Sequence, residues 1–164
     1  MAAADDWQNW FDRHGAALVL LARQFVASRA DAEDIVQDAF VRFWRSRERV
    51  ADPAPYVFAC VRRCALDWHR SRRRQAQREE QVARPETEPL FAEAEDNERR
   101  AAIETALREL PVEQSEVLVM KIWGGLTFPQ IAAALEMSPN TVASRYRYAL
   151  VKLREAMAEE PTYE

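Results

Sequence analysis

Apolar positions recur along this chain at helical rather than strand spacing. Trp7, Phe11, Leu18, Leu21 and Phe25 mark one face of a first helix over roughly 6–27. After a break at 28–31, Asp31 and Asp34 put carboxylates at the start of a second helix, where they suit the positive end of the helix dipole. That helix, about 32–46, buries Ile35, Val36, Ala39, Phe40 and Phe43 and shows Asp34, Gln37, Asp38, Arg42 and Arg45 on its other face. The prolines and polar residues of SRERVADPAP predict a loop. Pro53 or Pro55 then opens a third helix with Val57, Val61, Cys64 and Trp68 on its inner stripe.

From Gln75 to about Asn97 the periodicity fails. Pro85, Pro89 and dense glutamate predict a linker rather than a packed element. Beyond it, Ile103, Ala106, Leu107 and Leu110 give one helix, and Val117, Leu118, Ile122 and Trp123 another that starts at Pro111 and stops at Gly124-Gly125. The stretch Leu126 to Leu153 reads as a helix-turn-helix. Its first helix, about 127–135, carries Ile131, Ala132 and Leu135 on one face. The second has Ser138 as N-cap and Pro139 at its first position, where a missing N–H costs nothing. Val142, Tyr146, Ala149 and Leu153 form its buried stripe, leaving Asn140, Ala143, Ser144, Arg147 and Tyr148 outward. Small and polar residues at the start of an exposed helix, with cations further on, suit entry into a major groove. An ordinary helical hairpin fits the same pattern.

Composition narrows the picture. Three glycines in 164 residues and abundant Ala, Leu, Arg and Glu agree with an all-α chain of one medium domain or two small ones. No apolar run is long enough to span a bilayer, and the acidic start MAAADDW lacks the layout of a secretion signal, so a cytoplasmic location is expected. The net charge of −4 hides two opposed blocks. Residues 62–78 hold seven arginines against one acid, and 79–98 hold eight acids against one arginine. A local basic face is what contact with phosphates needs. The arginines are concentrated at one end, with Tyr56, Phe58 and Trp68 before it, a mixture that suits single-stranded or distorted DNA, although a solvated charged face gives the same pattern.

Cys60 and Cys64 lie one helical turn apart without the His or Cys partners of a metal site, and buried small hydrophobes explain them. Two histidines, no phosphate-cradling glycine loop and no Ser/His/Asp layout give no catalytic constellation, cofactor site or metal site.

Three segments carry a family resemblance: DAEDIVQDAFVRFWRS, PAPYVFACVRRCALDWHRSRRR and LPVEQSEVLVMKIWGGLTFPQIAAALEMSPNTVASRYRYALVKLRE. In this order and spacing they closely resemble bacterial sigma-70 factors of the extracytoplasmic-function (ECF) branch, which keeps only regions 2 and 4. The resemblance implies region 2 over 1–76, a flexible acidic linker over 77–97 and region 4 over 98–160. It implies a non-catalytic promoter-specificity subunit that binds core RNA polymerase, reads the −35 and −10 elements and melts the latter. Asp34, Gln37, Asp38 and Phe40 fall where region 2 docks on the β′ clamp coiled coil. The 47–54 loop falls where a flipped −10 base is captured. Arg47, Tyr56, Arg62, Arg63, Asp67, Arg70 and Arg73 are then the candidates for contact with single-stranded −10 DNA.

In region 4, which reads the −35 duplex and touches the β flap, Asn140, Ser144 and Arg147 are the candidates for base edges. Thr141 and Tyr148 lie beside them, Arg145 and Lys152 suit phosphates, and Thr127 and Gln130 sit near the DNA backbone. Many members of the branch are held by an anti-sigma protein, which adds one to the partners to consider. Some positions depart from the family pattern. Tyr56 stands where Trp is common, Cys64 where Asn is, Ser115 where Arg is and Ala143 where Lys is. Glu136 holds the turn position usually given to Gly, which places a non-glycine residue at positive φ. These changes bear on promoter sequence. A free-standing helix-turn-helix regulator would explain 126–153 equally well but not the first 76 residues. No apolar stripe is left over to pack one half on the other, so two tethered, independent halves are expected.

Overall fold

A computed structural model describes residues 2–78, 88–91 and 97–158. Among the described residues it is all-α, with seven α-helices and a short 3-10 turn: α1 (Ala2–Ala22), α2 (Arg29–Ser46), the turn Arg47–Arg49, α3 (Pro53–Arg78), α4 (Asn97–Glu109), α5 (Val112–Ile122), α6 (Phe128–Leu135) and α7 (Pro139–Ala158). None of these helices is long and apolar enough to cross a membrane.

In the first half, α1, α2 and α3 bury Leu18, Leu21, Ile35, Val36, Phe43, Val57 and Val61 between them. α1 stops at Ala22, five residues before the end that periodicity predicts, because Gln24 N and Phe25 N bond the carbonyls three residues back and tighten the chain into a turn. α2 starts at Arg29, earlier than expected, because Ser28 is the N-cap: its Oγ accepts from Asp31 N at 3.3 Å. Asp31 is therefore a first-turn carboxylate rather than the cap.

In the second half, α4, α5 and α7 close around Leu107, Leu118, Ile131, Val142, Ala149 and Leu153, with α6 seated on α5 and α7. Pro111 caps α5 as expected. Gly125 takes φ 66°, where its missing Cβ removes the penalty, and the turn is fixed by Gly124 N on Val119 O and Leu126 N on Met120 O. Glu136 does occupy the left-handed region (φ 54°, ψ 48°) at the end of α6. Ile122, expected in the core, is exposed, while Ser115 and Glu116 are buried.

The two halves are not separate bodies. α5 packs on α1 and α6 packs on α3, so one continuous apolar core runs through both. The expectation that no apolar surface remained for this joint is corrected by Phe58, a fully buried ring of α3 that packs against Gly124. Of the linker expected over 77–97, residues 79–87 and 92–96 lie outside the described residues. Those at 88–91 pack: Leu90 is buried, and Phe91 sits 6.2 Å from the Trp123 ring. Arg23, itself buried, donates from Nη1 to Pro89 O at 2.8 Å and from Nη2 to Glu88 O at 2.5 Å, and Nη2 also reaches Ala27 O at 2.8 Å.

Candidate nucleic-acid interface

The helix-turn-helix is built by local hydrogen bonding. Thr127 Oγ1 accepts from Gln130 N at 3.2 Å while Gln130 Oε1 accepts from Thr127 N at 2.9 Å, a capping box that fixes the start of α6. Ser138 Oγ accepts from Thr141 N at 3.2 Å and lies 2.8 Å from Thr141 Oγ1, which starts α7. Val142, Ala149 and Leu153 hold α7 to the core, and half-buried Tyr146 packs edge-on against Phe128 at 5.4 Å. Asn140, Thr141, Arg147, Tyr148 and Lys152 are exposed, and Ser144 is held by Arg147, whose Nη2 donates to Ser144 Oγ at 3.3 Å. Arg145 is half-buried, and its charge acts inward on Glu116. Gln130 reaches across to the first half in an exposed contact: its Nε2 donates to Asp52 Oδ2 at 3.0 Å.

On α3, Tyr56, Arg63, Asp67 and Arg70 are exposed and spaced by seven, four and three residues, which puts them on one face. Arg73 is exposed about a quarter-turn away. Arg47 lies over the Trp44 ring at 4.0 Å and donates from Nη1 to Trp44 O at 2.6 Å. Below this face is an open cavity of about 570 Å³, lined by Arg49, Asp52, Tyr56, Cys60 and Arg63 from the first half and by Ala133, Ala134 and Glu136 from the second. Arg62 does not join this face. Its Nε donates to Glu116 Oε2 at 2.7 Å, with Glu116 1% and Arg62 31% exposed. Burial raises the Glu116 carboxyl above its ordinary range, opposed by its bond to Arg62. Phe58, read from sequence as a ring for bases, is core, and Trp68 is half-buried beneath Arg72 at 5.0 Å. Burial likewise raises the Cys60 and Cys64 thiols, as expected of packed cysteines.

A second surface lies on α2. Asp34, Gln37 and Asp38 are exposed, and Phe40 is half-buried, its ring edge-on to Phe11 at 5.1 Å. Gln37 and Phe40 line an apolar groove of about 540 Å³ with Trp7, Phe11, Val41 and Trp44. Val41 and Trp44, 48% and 37% exposed, were missed from sequence. The available signal was two apolar residues left off the buried stripe, within an otherwise charged face. Glu116 and Asp52 were also missed. Glu116 adjoins VLVM, one full turn that is apolar on every side, which indicates a helix covered all round at that level.

A three-helix bundle bearing a basic, aromatic helix, joined to a helix-turn-helix with an exposed polar face, defines a helical DNA-recognition protein. Comparison with known proteins makes this specific. Residues 10–75 match the model of sigma-70 region 2 and residues 100–153 that of sigma-70, region 4. The RNA polymerase sigma-E factor of Streptomyces coelicolor is 31% identical over 144 residues, covering 86% of this chain and 80% of the relative. The ECF RNA polymerase sigma factor SigL of Mycobacterium tuberculosis is 30% identical over 158 residues, 91% of this chain and 87% of the relative. Among solved structures, the sigma factor RpoE in complex with the anti-sigma factor NepR from Bartonella quintana superposes with a TM-score of 0.74 at 20% identity, over 95% of this chain and 99% of that one. CnrH in complex with the cytosolic domain of CnrY gives 0.64 at 25% identity, over 94% and 88%. The chain belongs to the ECF branch of the sigma-70 family, the sigma factors of bacterial transcription initiation.

Proposed function

We propose that this sigma factor melts the −10 element with α3 and the loop before it, reads the −35 duplex with α7, and docks on core polymerase through α2. The observation that carries the −10 reading is the alignment of Tyr56, Arg63 and Arg70 along one exposed face above the cavity at Arg49 and Asp52. Cations spaced along a helix track a strand's phosphates, and an exposed ring and a cavity offer places for unstacked bases. Trapping a base offsets unstacking by about a few kcal/mol. Asp67 is positioned to accept from a base amino group, and Arg47 and Arg73 extend the cationic surface to either side.

For the −35 element, Asn140, Ser144 and Arg147 are the base-edge readers, each good bidentate pair giving roughly 1–3 kcal/mol of discrimination. Thr141, Tyr148 and Lys152 flank them, with Thr127, Gln130 and Arg145 nearer the backbone once the halves separate. Asp34, Gln37, Asp38 and Phe40 present mixed polar and apolar groups to the β′ clamp coiled coil, and region 4 meets the β flap. The relatives solved with anti-sigma proteins support an anti-sigma partner for this chain as well, and its working place is the cytoplasm, where core polymerase is.

Run-off transcription with core polymerase on a genomic promoter library, with and without the protein, tests this reading. New starts sharing a −35 and −10 pair, with permanganate-reactive thymines at −10, are expected. Binding of duplex DNA without polymerase and no protein-dependent starts would overturn it.

A further inference from the structure

Tyr148 is the most exposed large apolar side chain among the described residues, at 67%. No hydrogen bond or ring contact holds it there, whereas Tyr146, two residues back, is half-buried against Phe128. One exposed ring carries little by itself; its place on the helix is what distinguishes it. Thr141, Ser144, Tyr148 and Lys152 follow one another at three, four and four residues and so form one row along α7. Asn140 and Arg147, seven residues apart and both exposed, form the row beside it. Tyr148 therefore stands between polar groups suited to base edges and a cation suited to a phosphate. The rise from Asn140 to Tyr148 is about 12 Å, and a major groove is about as wide. A helix whose first turn touches base edges still has Tyr148 within the groove, near its wall.

Chemistry narrows what the ring can meet there. In the major groove, guanine, cytosine and adenine are told apart by donors and acceptors, and thymine alone adds an apolar group, its C5-methyl. That methyl is at the outer edge of the base, toward the sugar–phosphate wall. A phosphate could use only the tyrosine hydroxyl, and Lys152, one turn further on, supplies a full charge for that purpose. We propose that Tyr148 is a specificity-determining residue of −35 recognition, its ring packing on a thymine C5-methyl beside the base that Arg147 reads. This inference rests on the reading of α7 as the −35 helix.

The test uses holoenzyme assembled from core polymerase and the full chain, selecting from random-sequence duplexes. One pool contains thymine and a second contains deoxyuridine in its place, which lacks only the methyl. Wild type is expected to enrich a −35 motif in which thymine is preferred at one position by about fourfold, the worth of one buried methyl-sized group. That preference should vanish in the deoxyuridine pool, and also in the thymine pool with Tyr148→Ala, while the rest of the motif remains. Tyr148→Phe keeps the ring without the hydroxyl and should keep the preference. Because Tyr148 is exposed, neither variant removes a core contact. A −35 motif in which no thymine depends on both the methyl and Tyr148 would overturn the proposal. So would a loss from Tyr148→Phe equal to that from Tyr148→Ala, the mark of a phosphate contact. Equal weakening of every sequence by Tyr148→Ala would overturn it as well, and would assign the ring to a protein surface of polymerase. Failure of wild type to enrich any −35 motif from the thymine pool would overturn the reading of α7 itself, so the two failures are told apart.

Discussion

Gly124 lies directly under Phe58. A Cβ built on Gly124 would stand 3.0 Å from Phe58 Cζ and 2.6 Å from the Met120 carbonyl oxygen. The first neighbour is a core ring from the other half of the chain and the second is backbone, so neither yields easily. Gly124→Ala should therefore destabilise the fold by about 1–3 kcal/mol, as overpacking does. Gly125→Ala meets no neighbour within 4 Å but must adopt φ 66°, at a cost of about 1 kcal/mol. Urea unfolding compares the two, and an unchanged midpoint for Gly124→Ala would show that the joint is looser than this packing.

The left-handed Glu136 supplies a stabilising substitution. Its φ of 54° strains a residue with a Cβ. Glu136→Gly should raise stability by about 0.5–1 kcal/mol, because the relief exceeds the entropy that glycine adds to the unfolded chain. A higher thermal midpoint checks this, and a lower one contradicts it.

Arg23 ties 88–91 to the end of α1 through carbonyls of both segments. Arg23→Met keeps the buried stem and removes the donors, leaving those carbonyls to find water. A loss of about 2–3 kcal/mol is expected. Amide exchange at Leu90, whose N–H is bonded to Glu104, should rise with it. Exchange unchanged at Leu90 would mean that α4 alone holds the segment.

Burial raises the Glu116 carboxyl, with Arg62 and Arg145 opposing the rise and Glu113 adding to it. The folded chain thus binds this proton more tightly than the unfolded chain. The stability it contributes is fully present below the ordinary glutamate pKa and is lost as pH rises through the elevated value. Glu116→Gln carries no such dependence and should gain on wild type as pH rises across that window. Urea midpoints at several pH values measure the difference, and a constant gap would count against the raised value.

Base and backbone readers on α7 should separate by their salt dependence in the holoenzyme. Arg147→Ala should cost about 1–3 kcal/mol at the bases it reads and relax sequence preference there. Lys152→Ala should weaken all duplexes alike and lower the slope of log K against log salt by about 0.9. Equal effects of Arg147→Ala on all sequences would return it to the phosphates.

The helices were legible because each carries its own record. The stripe Val142, Ala149 and Leu153 and the Ser138 N-cap before Pro139 are local patterns, and the structure contains them as read. The family motifs likewise lie inside single helices or adjacent pairs. The joint was not legible, since nothing near Phe58 in sequence says that its partner is Gly124, and an aromatic beside arginines fits stacking on bases equally well. The Arg62 pairing was hidden for the same reason: an arginine's partner 54 residues away leaves no mark on periodicity. Arg23 shows the same limit at 88–91, where Pro89 and Glu88 signal a linker by side-chain type while their carbonyls do the binding.

The long reach of the Arg62–Glu116 contact also sets an order in time. Each half is assembled from neighbours in sequence, which find one another quickly, whereas the joint must wait for distant segments. On a ribosome, α1 to α3 can close well before α5 has been made. The 44 residues between the ends of α3 and α5 take about 2–9 s to synthesise at ordinary elongation rates. For that interval the newborn chain displays Phe58 and leaves Arg62 without Glu116, so its moment of greatest exposure to aggregation comes before synthesis ends.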